Sequence, residues 1–388
     1  MNKKIFITLF FAIFAAVTGM GIVVPLLPVY ADKLGASGLF IGFIFGAFSL
    51  SRTAFLPLFG RLSDRHGRKP FLAWGLFLYA VASVAFMWSS DVNSLIIIRF
   101  FQGIASAMIL PVAQAYVGEI TPPGKEGIVM GVFNISMYGS LSLGPLLGGA
   151  VNDRWGLTTA FAAMMVLSLF AWGLCLVFLP APADEPRAGT ARLPLTFRVL
   201  MASRPVAAVV VFRMAYTTCV GAIWAFLPVY ATRRFSLSSS EVGVVIMMGV
   251  LVAGVLQTPM GWLADRHDKR ILVAGGGLFM AAAVLLFPLA NGFSGLFAAN
   301  TAFGVGGGVA IPALMALTVV EGRRAESMGS VMALLTLGHS LGMLLGSLLA
   351  GLAADYISLS AVYPAGGLSM LAGTLFFLAW TRPGRSSG

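Results

Sequence analysis

Two short charged segments, each set between long apolar runs, restrict what this chain can fold into. The first, Gly60–Pro70, packs four Lys or Arg residues and one Asp into eleven positions. A weaker copy, Gly261–Arg270, follows at an offset of 201, which also relates Asp64 to Asp265. A charged hairpin at the same place in two halves predicts a duplicated membrane protein.

The composition agrees with a membrane protein. Of the 388 residues, 59% are hydrophobic and 10% are charged, whereas a soluble domain carries about 25% charged residues. Much of the outer surface must therefore face lipid. Because Cys175 and Cys219 both lie inside apolar runs, we expect no disulfide framework, no metal site and no cofactor.

Twelve apolar runs are long enough to cross a bilayer. They cover roughly residues 5–30, 38–60, 70–88, 94–118, 127–151, 158–180, 206–230, 240–262, 271–289, 294–320, 327–352 and 360–381. The polar stretch 181–204 separates the first six from the last six and is too short for a further domain. The predicted organisation is an all-α membrane protein with two pseudo-symmetric six-helix bundles, residues 1–180 and 205–388, joined by a cytoplasmic linker at 181–204.

The basic residues orient this topology. With the N-terminus inside, 18 of the 25 Lys and Arg residues fall in cytoplasmic segments. Four lie on the other side: Lys33, Arg154, Arg233 and Arg234. This bias follows the positive-inside rule and predicts that both termini are cytoplasmic. The net charge of +11 therefore reflects topology, and no nucleic-acid partner is expected.

Four ionisable residues stand inside the apolar runs: Arg52, Arg99, Arg213 and His339. An arginine there costs at least ~2.5–3.5 kcal/mol, so it is expected to face protein or a water-filled cavity. All fourteen acidic residues lie in loops or near span ends. Three cations without an embedded acid favour an anionic or zwitterionic substrate. For Arg99, a structural bond to backbone carbonyls competes evenly with a functional role.

The hairpin pair, the segment Arg99–Gly103 and the fifth run together resemble the major facilitator superfamily. The fifth run, with Gly144 and Pro145, is similar to the antiporter signature of its 12-span drug:proton efflux members, although Ser140 replaces one glycine. The resemblance implies a substrate cavity between two bundles that rock between inward-open and outward-open states. It also implies a monomer in a bacterial-type inner membrane, with the proton as coupling ion.

The same resemblance, combined with the polar in-span residues, predicts three groups of site residues. Residues expected to line the cavity are Arg52, Arg213, Tyr30, Asn134, Tyr138, Tyr216, Gln257, Asn300 and His339. Residues expected to act in gating are Gly60, Asp64, Arg65, Gly67, Arg68, Glu119, Gly261, Asp265 and Arg266. Residues expected to act in coupling and helix packing are Arg99, Gln102, Gly103, Gly144, Pro145 and Gly148.

Within the gating group, the resemblance implies that Asp64 and the hairpin arginines latch the cytoplasmic side, with Glu119 as their acidic partner. On the other side, Asp153 is echoed by Asp355 at an offset of 202, and we interpret both as markers of outer loops.

Three functions remain open from the sequence. The favoured one is proton-coupled, multidrug-like efflux of a small organic solute. Proton-coupled members commonly use a membrane-embedded carboxylate, however, and this chain has none in mid-span. The second is a carrier for an organic or lipid-like anion that uses Arg52 and Arg213 as ligands. A membrane enzyme or sensor is disfavoured because no metal cluster or nucleophile–base pair is visible.

Overall fold

The computed structural model describes residues 3–122, 126–180 and 197–381, with side chains from residue 129 onward in the fifth long helix. In this part of the chain the fold is all-helical. The helices are α1 Lys3–Lys33, α2 Gly38–His66, α3 Arg68–Trp88, α4 Val92–Ile120, α5 Glu126–Trp155, α6 Leu157–Phe178, α7 Phe197–Ala202, α8 Arg204–Phe235, α9 Ser239–Arg266, α10 Lys269–Leu285, α11 Gly292–Arg324, α12 Met328–Tyr356 and α13 Val362–Trp380. Single 3₁₀ turns, Phe287–Leu289 and Leu359–Ala361, follow α10 and precede α13.

The apolar runs of the sequence become these long helices because a backbone in lipid must satisfy its own hydrogen bonds. Eleven of them are long and apolar enough to cross a membrane, and α5 joins them as the remaining long helix. The chain is therefore a multi-pass membrane protein. Of the predicted linker 181–204, residues 181–196 lie outside the described residues, and the remainder includes the short helix α7.

The helices pack as two bundles, α1–α6 and α8–α13. In the first bundle, α1 packs on α5 and α6, while α3 and α4 complete the contacts with α6 and α2. In the second, α8 packs on α12 and α13, while α11 contacts α9 and α10. Two apolar clusters form the core, one around Phe161 and Leu27 in the first bundle and one around Phe212 and Tyr363 in the second, and the first extends across the interface to Phe226 of α8.

The internal duplication extends to single hydrogen bonds. Arg99 of α4 donates from Nε to the carbonyl of Ile44 in α2, at 3.3 Å. Asn300 of α11 donates from Nδ2 to the carbonyl of Val245 in α9, at 2.7 Å. Both donors and both acceptors are related by the offset of 201, so two different side chains join equivalent helices at equivalent points.

The two bundles meet along three helix pairs: α2 with α12, α5 with α9, and α1 with α8. We call the side of the molecule that carries the loops at Gly67 and His267 the hairpin side, and the other the far side. On the far side, Gly38 and Gly42 lie against the α12 backbone, while Gly149 and Gly243 bring α5 and α9 together. Glycine is needed there because a side chain would separate the helices.

On the hairpin side the same helices diverge. A methyl group added at Gly60 of α2, Gly131 of α5 or Gly329 of α12 would meet no atom of the described residues within 4 Å. One added at Gly261 of α9 would meet, within the described part of the chain, Pro312 of its own bundle, at 3.9 Å. The structure is therefore closed on the far side and open on the hairpin side.

Candidate functional site

A cluster of polar residues lies between the bundles, at mid-height of the helices. Arg213 of α8 donates from Nη2 to Nδ1 of His339 in α12, at 3.1 Å. A guanidinium can only donate, so Nδ1 must accept and the imidazole is neutral with its proton on Nε2. The guanidinium also lies over the ring of Tyr216, 5.5 Å from its centre.

Arg52 lies in α2 of the first bundle, the helix that packs against α12. Arg52 and Arg213 both act electrostatically on His339. Among the described residues, no hydrogen-bond partner reaches the buried Nε atoms of the two arginines. A buried donor without a partner is costly, so the fold brings two guanidinium groups, one from each bundle, to a place where they have unused donors.

A hydrogen bond between two polar side chains crosses the bundle interface beside the arginines. Gln257 of α9 donates from Nε2 to the hydroxyl oxygen of Tyr138 in α5, at 2.6 Å. Tyr138 also lies within electrostatic reach of Arg213. Asn134, one helical turn earlier in α5, is exposed. We call Arg52, Arg213, His339, Tyr138, Tyr216 and Gln257 the central cluster.

Positive charge in the central cluster is not balanced by acid. The ion pairs formed by described acidic residues are at helix ends, at Asp32, Asp64, Glu119 and Glu321. In the same part of the chain no group of three or more His, Cys, Asp or Glu residues could hold a metal ion. The cluster is therefore suited to bind negative charge.

Two residues expected in the cavity form hydrogen bonds within their own bundles. Tyr30, near the far-side end of α1, donates its hydroxyl to the carbonyl of Ser89, at 2.6 Å, within the first bundle. Asn300 is 5% exposed and is used by its bond to α9. Both were chosen because they are polar residues in apolar runs, a pattern that does not show which way a side chain points.

Three aspartates that the sequence reading left out of the site join the bundles on the far side. Asp153, at the end of α5, accepts hydrogen bonds from the backbone N–H groups of Ser239 (3.1 Å) and Ser240 (2.7 Å), which begin α9. Asp355, at the end of α12, accepts in the same way from Gly38 (2.6 Å) and Leu39 (2.8 Å), which begin α2. We call these two contacts the aspartate latches. The recurrence of Asp153 as Asp355 was the sequence signal for them.

The third aspartate forms an ion pair. Arg233 of α8 donates from Nη2 and Nε to the two carboxylate oxygens of Asp32 in α1, at 2.6 and 2.9 Å. Asn152 adds a bond from Nδ2 to the hydroxyl of Ser239, at 2.9 Å. All three helix pairs at the interface are thus tied on the far side.

The latches work because the first N–H groups of a helix have no partner within it and carry partial positive charge. Partial burial acts against ionisation of Asp153, but the hydrogen bonds from Ser240 and Ser239 outweigh it and lower the pKa of this carboxyl. The carboxylate is therefore charged across the physiological pH range.

On the hairpin side, the predicted gating residues pair within the first bundle. Arg68 contacts Asp64, donates to Glu119 from Nη2 at 2.9 Å and from Nε at 3.1 Å, and donates to the hydroxyl of Ser63 at 2.7 Å. Gly67 adopts a φ of +86°, which a residue with a side chain rarely adopts, and so permits the turn between α2 and α3.

The second hairpin is built differently. At the position equivalent to Gly67 stands Asp268, which begins α10 by accepting from the N–H of Arg270, at 2.9 Å. Arg266 lies over the ring of Trp262, 3.8 Å from its centre. Asp265 is exposed, as is Arg65 in the first hairpin.

The residues predicted to act in coupling and helix packing lie at helix contacts. Gln102 accepts from Nη1 of Arg99, at 2.7 Å, and Gly103 lies against the backbone of α2. Gly144 and Gly148 face the backbone of α1, while the carbonyl of Pro145 faces Gly243 of α9. The α5 segment therefore contacts helices of both bundles.

The guanidinium of Arg99 makes structural contacts inside the first bundle. Its guanidinium lies over the rings of Phe45 and Phe48, at 5.1 and 4.4 Å from their centres. Together with the bonds to Ile44 and Gln102, these contacts hold the side chain within the first bundle.

Comparison with known proteins is consistent across the whole chain. The sequence model of the Major Facilitator Superfamily matches residues 9–233 and 209–388. An uncharacterised MFS-type transporter of Methanocaldococcus jannaschii is 27% identical over 386 residues, covering 97% of this chain and 98% of the relative. The quinolone resistance protein NorA of Staphylococcus aureus is 25% identical over 386 residues, covering 97% and 96%.

Solved structures share the fold. The nucleoside transporter NupG matches with a TM-score of 0.84 and 12% identity, covering 97% of this chain and 100% of its own. The human organic anion transporter MFSD10 (TETRAN) matches with a TM-score of 0.71 and 17% identity, covering 97% and 99%. The chain belongs to the major facilitator superfamily and is a membrane transporter, not an enzyme.

Proposed function

We propose that the protein is a secondary active transporter that moves a small amphipathic organic anion or zwitterion by alternating access. One observation carries the proposal: Arg52 and Arg213, from opposite bundles, converge with unused buried donors where no described acid balances them. A substrate anion would supply the missing negative charge, and a guanidinium offers it a bidentate fork.

The surroundings of the arginines favour a substrate with an aromatic or apolar part. Tyr216 stacks on Phe303, with ring centres 5.9 Å apart and planes at 10°. Rings of this kind hold apolar groups at low entropic cost, while the few polar groups fix orientation. Because the two arginines belong to different bundles, a bound anion attracts both bundles and favours rocking between states.

We place the hairpin side in the cytoplasm, because most Lys and Arg residues lie there. The structure then corresponds to the inward-open state, in which the aspartate latches close the outer end. The similarity to NorA over the full chain favours export for the efflux candidate considered below, whereas the direction in which an anion carrier works depends on its coupling ion. Both termini are cytoplasmic in this arrangement, and the two bundles, residues 1–180 and 205–388, are the moving units.

Multidrug-like efflux in exchange for protons is the second candidate. It is favoured by the α5 segment around Gly144 and Pro145, which contacts both α1 and α9 and could transmit movement between bundles. A mid-span carboxylate of the kind such exchangers commonly use is absent from the sequence. The site geometry therefore supports the anion carrier better.

Binding to the purified protein tests the proposal. The probes are aromatic carboxylates and sulfonates, each compared with its uncharged ester or amide and with an amine of the same size. We expect the anions to bind more tightly than their neutral and cationic partners. Arg52→Gln and Arg213→Gln should each weaken anion binding about 10- to 150-fold, since a charged hydrogen bond contributes roughly 1.5–3 kcal/mol.

Arg323→Gln is the matched control. Arg323 is exposed at the hairpin-side end of α11, so its loss removes the same charge without touching the central cluster and should leave affinity unchanged. If Arg52→Gln and Arg213→Gln bind every probe as the parent does, the anion site does not exist and multidrug-like efflux would be the remaining reading.

A further inference from the structure

His339 is the side chain of the central cluster whose residue type ordinarily titrates near neutral pH. We propose that His339 takes up a proton when an anion binds between Arg52 and Arg213, so that anion and proton are carried together. This inference rests on the proposed anion site. It identifies the coupling residue and sets the direction of the coupling.

The starting state follows from the hydrogen bond. Because Arg213 Nη2 donates to His339 Nδ1 at 3.1 Å, that nitrogen is occupied and the ring is neutral. A proton on Nδ1 would break this bond and place a third positive charge beside Arg52 and Arg213. In the empty site, the geometry therefore keeps the proton off.

An anion reverses each of these conditions. Its oxygens compete with Nδ1 for the donors of Arg213, which frees the lone pair of Nδ1. Its negative charge offsets the two guanidinium groups, so a third cation no longer faces uncompensated repulsion. The proton comes from water, and the imidazolium formed then has two N–H donors with which to bind the anion. The site gains one negative and one positive charge.

Among the described side chains that face His339, the histidine itself is the one whose ordinary titration range lies near neutral pH. From the elements packed on α12, α8 presents Arg213 and Tyr216, and α2 presents Arg52. Arginine and tyrosine do not change charge between pH 5 and 8, whereas histidine does. Cys219, a buried thiol, lies in the middle of α8. The other titratable side chains on the described elements packed against α12 lie toward helix ends: Arg61, Asp64, Arg65 and His66 of α2, Arg198 of α7, Arg204, Tyr230, Arg233 and Arg234 of α8, Glu321, Arg323 and Arg324 of α11, and Tyr363 of α13.

Linkage fixes the sign of the coupling. If an anion favours protonation of His339, protonation must favour the anion by the same factor. Substrate and proton then occupy the site together and cross in the same direction. An exchanger requires the opposite, release of the proton when the substrate binds. The geometry therefore supports co-transport and argues against the exchange mechanism of the second candidate.

The decisive measurement is the number of protons taken up on binding. An aromatic sulfonate is the probe, because it stays ionised throughout the pH range and contributes no proton of its own. It is added at saturation to purified protein in weakly buffered solution containing a pH indicator. We expect net uptake of up to one proton per bound sulfonate at pH 7. The Kd should rise with pH between 5 and 8, by at most tenfold per pH unit.

The chain supplies its own controls, since it contains three histidines. His66 and His267 are exposed on the hairpin side, and each ring lies near a carbonyl one turn earlier, that of Leu62 or Leu263. His66→Gln and His267→Gln should keep the parent's proton uptake. His339→Gln should bind the sulfonate with the weaker affinity that the parent shows at pH 8, at every pH, and should take up no proton.

The outcomes separate this inference from the proposal beneath it. If the sulfonate binds in an Arg213-dependent way without proton uptake, or with proton release, the role of His339 is refuted and the anion site stands. If His339→Gln keeps the parent's pH dependence, the role is refuted as well. If no anion binds in a way that depends on Arg52 or Arg213, the proposed function itself fails.

Discussion

Removing the aspartate latches should shift the protein away from the state that is closed on the far side. Asp153→Ala and Asp355→Ala each delete one carboxylate that accepts two backbone N–H groups from the opposite bundle. Because the latches join the bundles only in this state, their loss raises its free energy and leaves the far-side-open state unaffected. We expect the double variant to populate the far-side-open state.

The size of the shift follows from the exposure of the two carboxylates. A buried charged hydrogen bond contributes roughly 1.5–3 kcal/mol, but Asp153 and Asp355 are exposed and water can replace them in part. Charges at exposed helix N-termini contribute about 0.3–1 kcal/mol, and loss of a side-chain cap costs about 1 kcal/mol. We therefore assign about 1 kcal/mol to each latch. The latches join different helix pairs and should add, giving about 2 kcal/mol, or about a 30-fold shift.

Spin labels at Lys33 and Tyr356 would report the shift. Both residues are exposed at far-side helix ends, one in each bundle, so the distance between them increases when the far side opens. Pulsed electron spin resonance on purified protein gives the distance distribution. The double variant should gain a longer distance, and each single variant should show an intermediate population.

Asp91→Ala is the control with matched charge. Asp91 lies on the same side and caps α4 by accepting from the N–H of Ser94, at 2.9 Å, but both residues belong to the first bundle. Its loss should lower thermal stability without changing the distance distribution. If the double variant keeps the parent's distances, or if Asp91→Ala changes them equally, the aspartate latches do not keep the far side closed.

Two further predictions concern packing and pH. Gly103→Ala places a methyl group against the α2 backbone, whereas Gly60→Ala points into open space. Gly103→Ala should lower the apparent Tm, because the overpacked helix contact costs roughly 1–3 kcal/mol of stability. If Gly60→Ala lowered the Tm equally, the close contact between Gly103 and α2 would not explain the effect. The pKa of Asp153 is lower in the folded protein than in the unfolded chain, where an aspartate has a pKa near 3.9. The Asp153 latch is therefore fully present above the unfolded pKa and is lost as the pH falls through the folded pKa. In an Asp355→Ala background the label distance should thus stay constant from pH 8 to 5 and lengthen only below about pH 4, and lengthening at pH 6 would refute this.

The two hairpins show how far local sequence determines structure. Gly67 permits the tight turn between α2 and α3, where the backbone has a φ of +86°. The second hairpin lacks that glycine, and Asp268 instead begins α10 as a cap. Such features depend on neighbours in the chain, so they are readable from the sequence. The membrane fold, its long helices and its family follow from the same kind of reading.

Side-chain direction is what the sequence left open. Arg99 and Arg213 are both arginines in apolar runs, yet Arg99 is satisfied within the first bundle and Arg213 meets His339 between the bundles. Asn300 resembles a cavity residue but repeats the packing bond of Arg99. Helices that are apolar on most faces have no strong periodicity, so their sequence does not show which face meets the partner helix.

Length, hydropathy, charge bias and duplication are local or additive properties of the chain. By themselves they determined that this protein crosses the membrane many times, in two related halves. Only the tertiary structure decided that Arg52, Arg213 and His339 converge, and that Asp153 and Asp355 close the far side. Asp153 and Asp355 join residues more than eighty positions apart across the bundle interface, and the bond between Arg213 and His339 joins two helices of the second bundle. They depend on how helices rotate and tilt against each other, and packing rather than local sequence sets those angles.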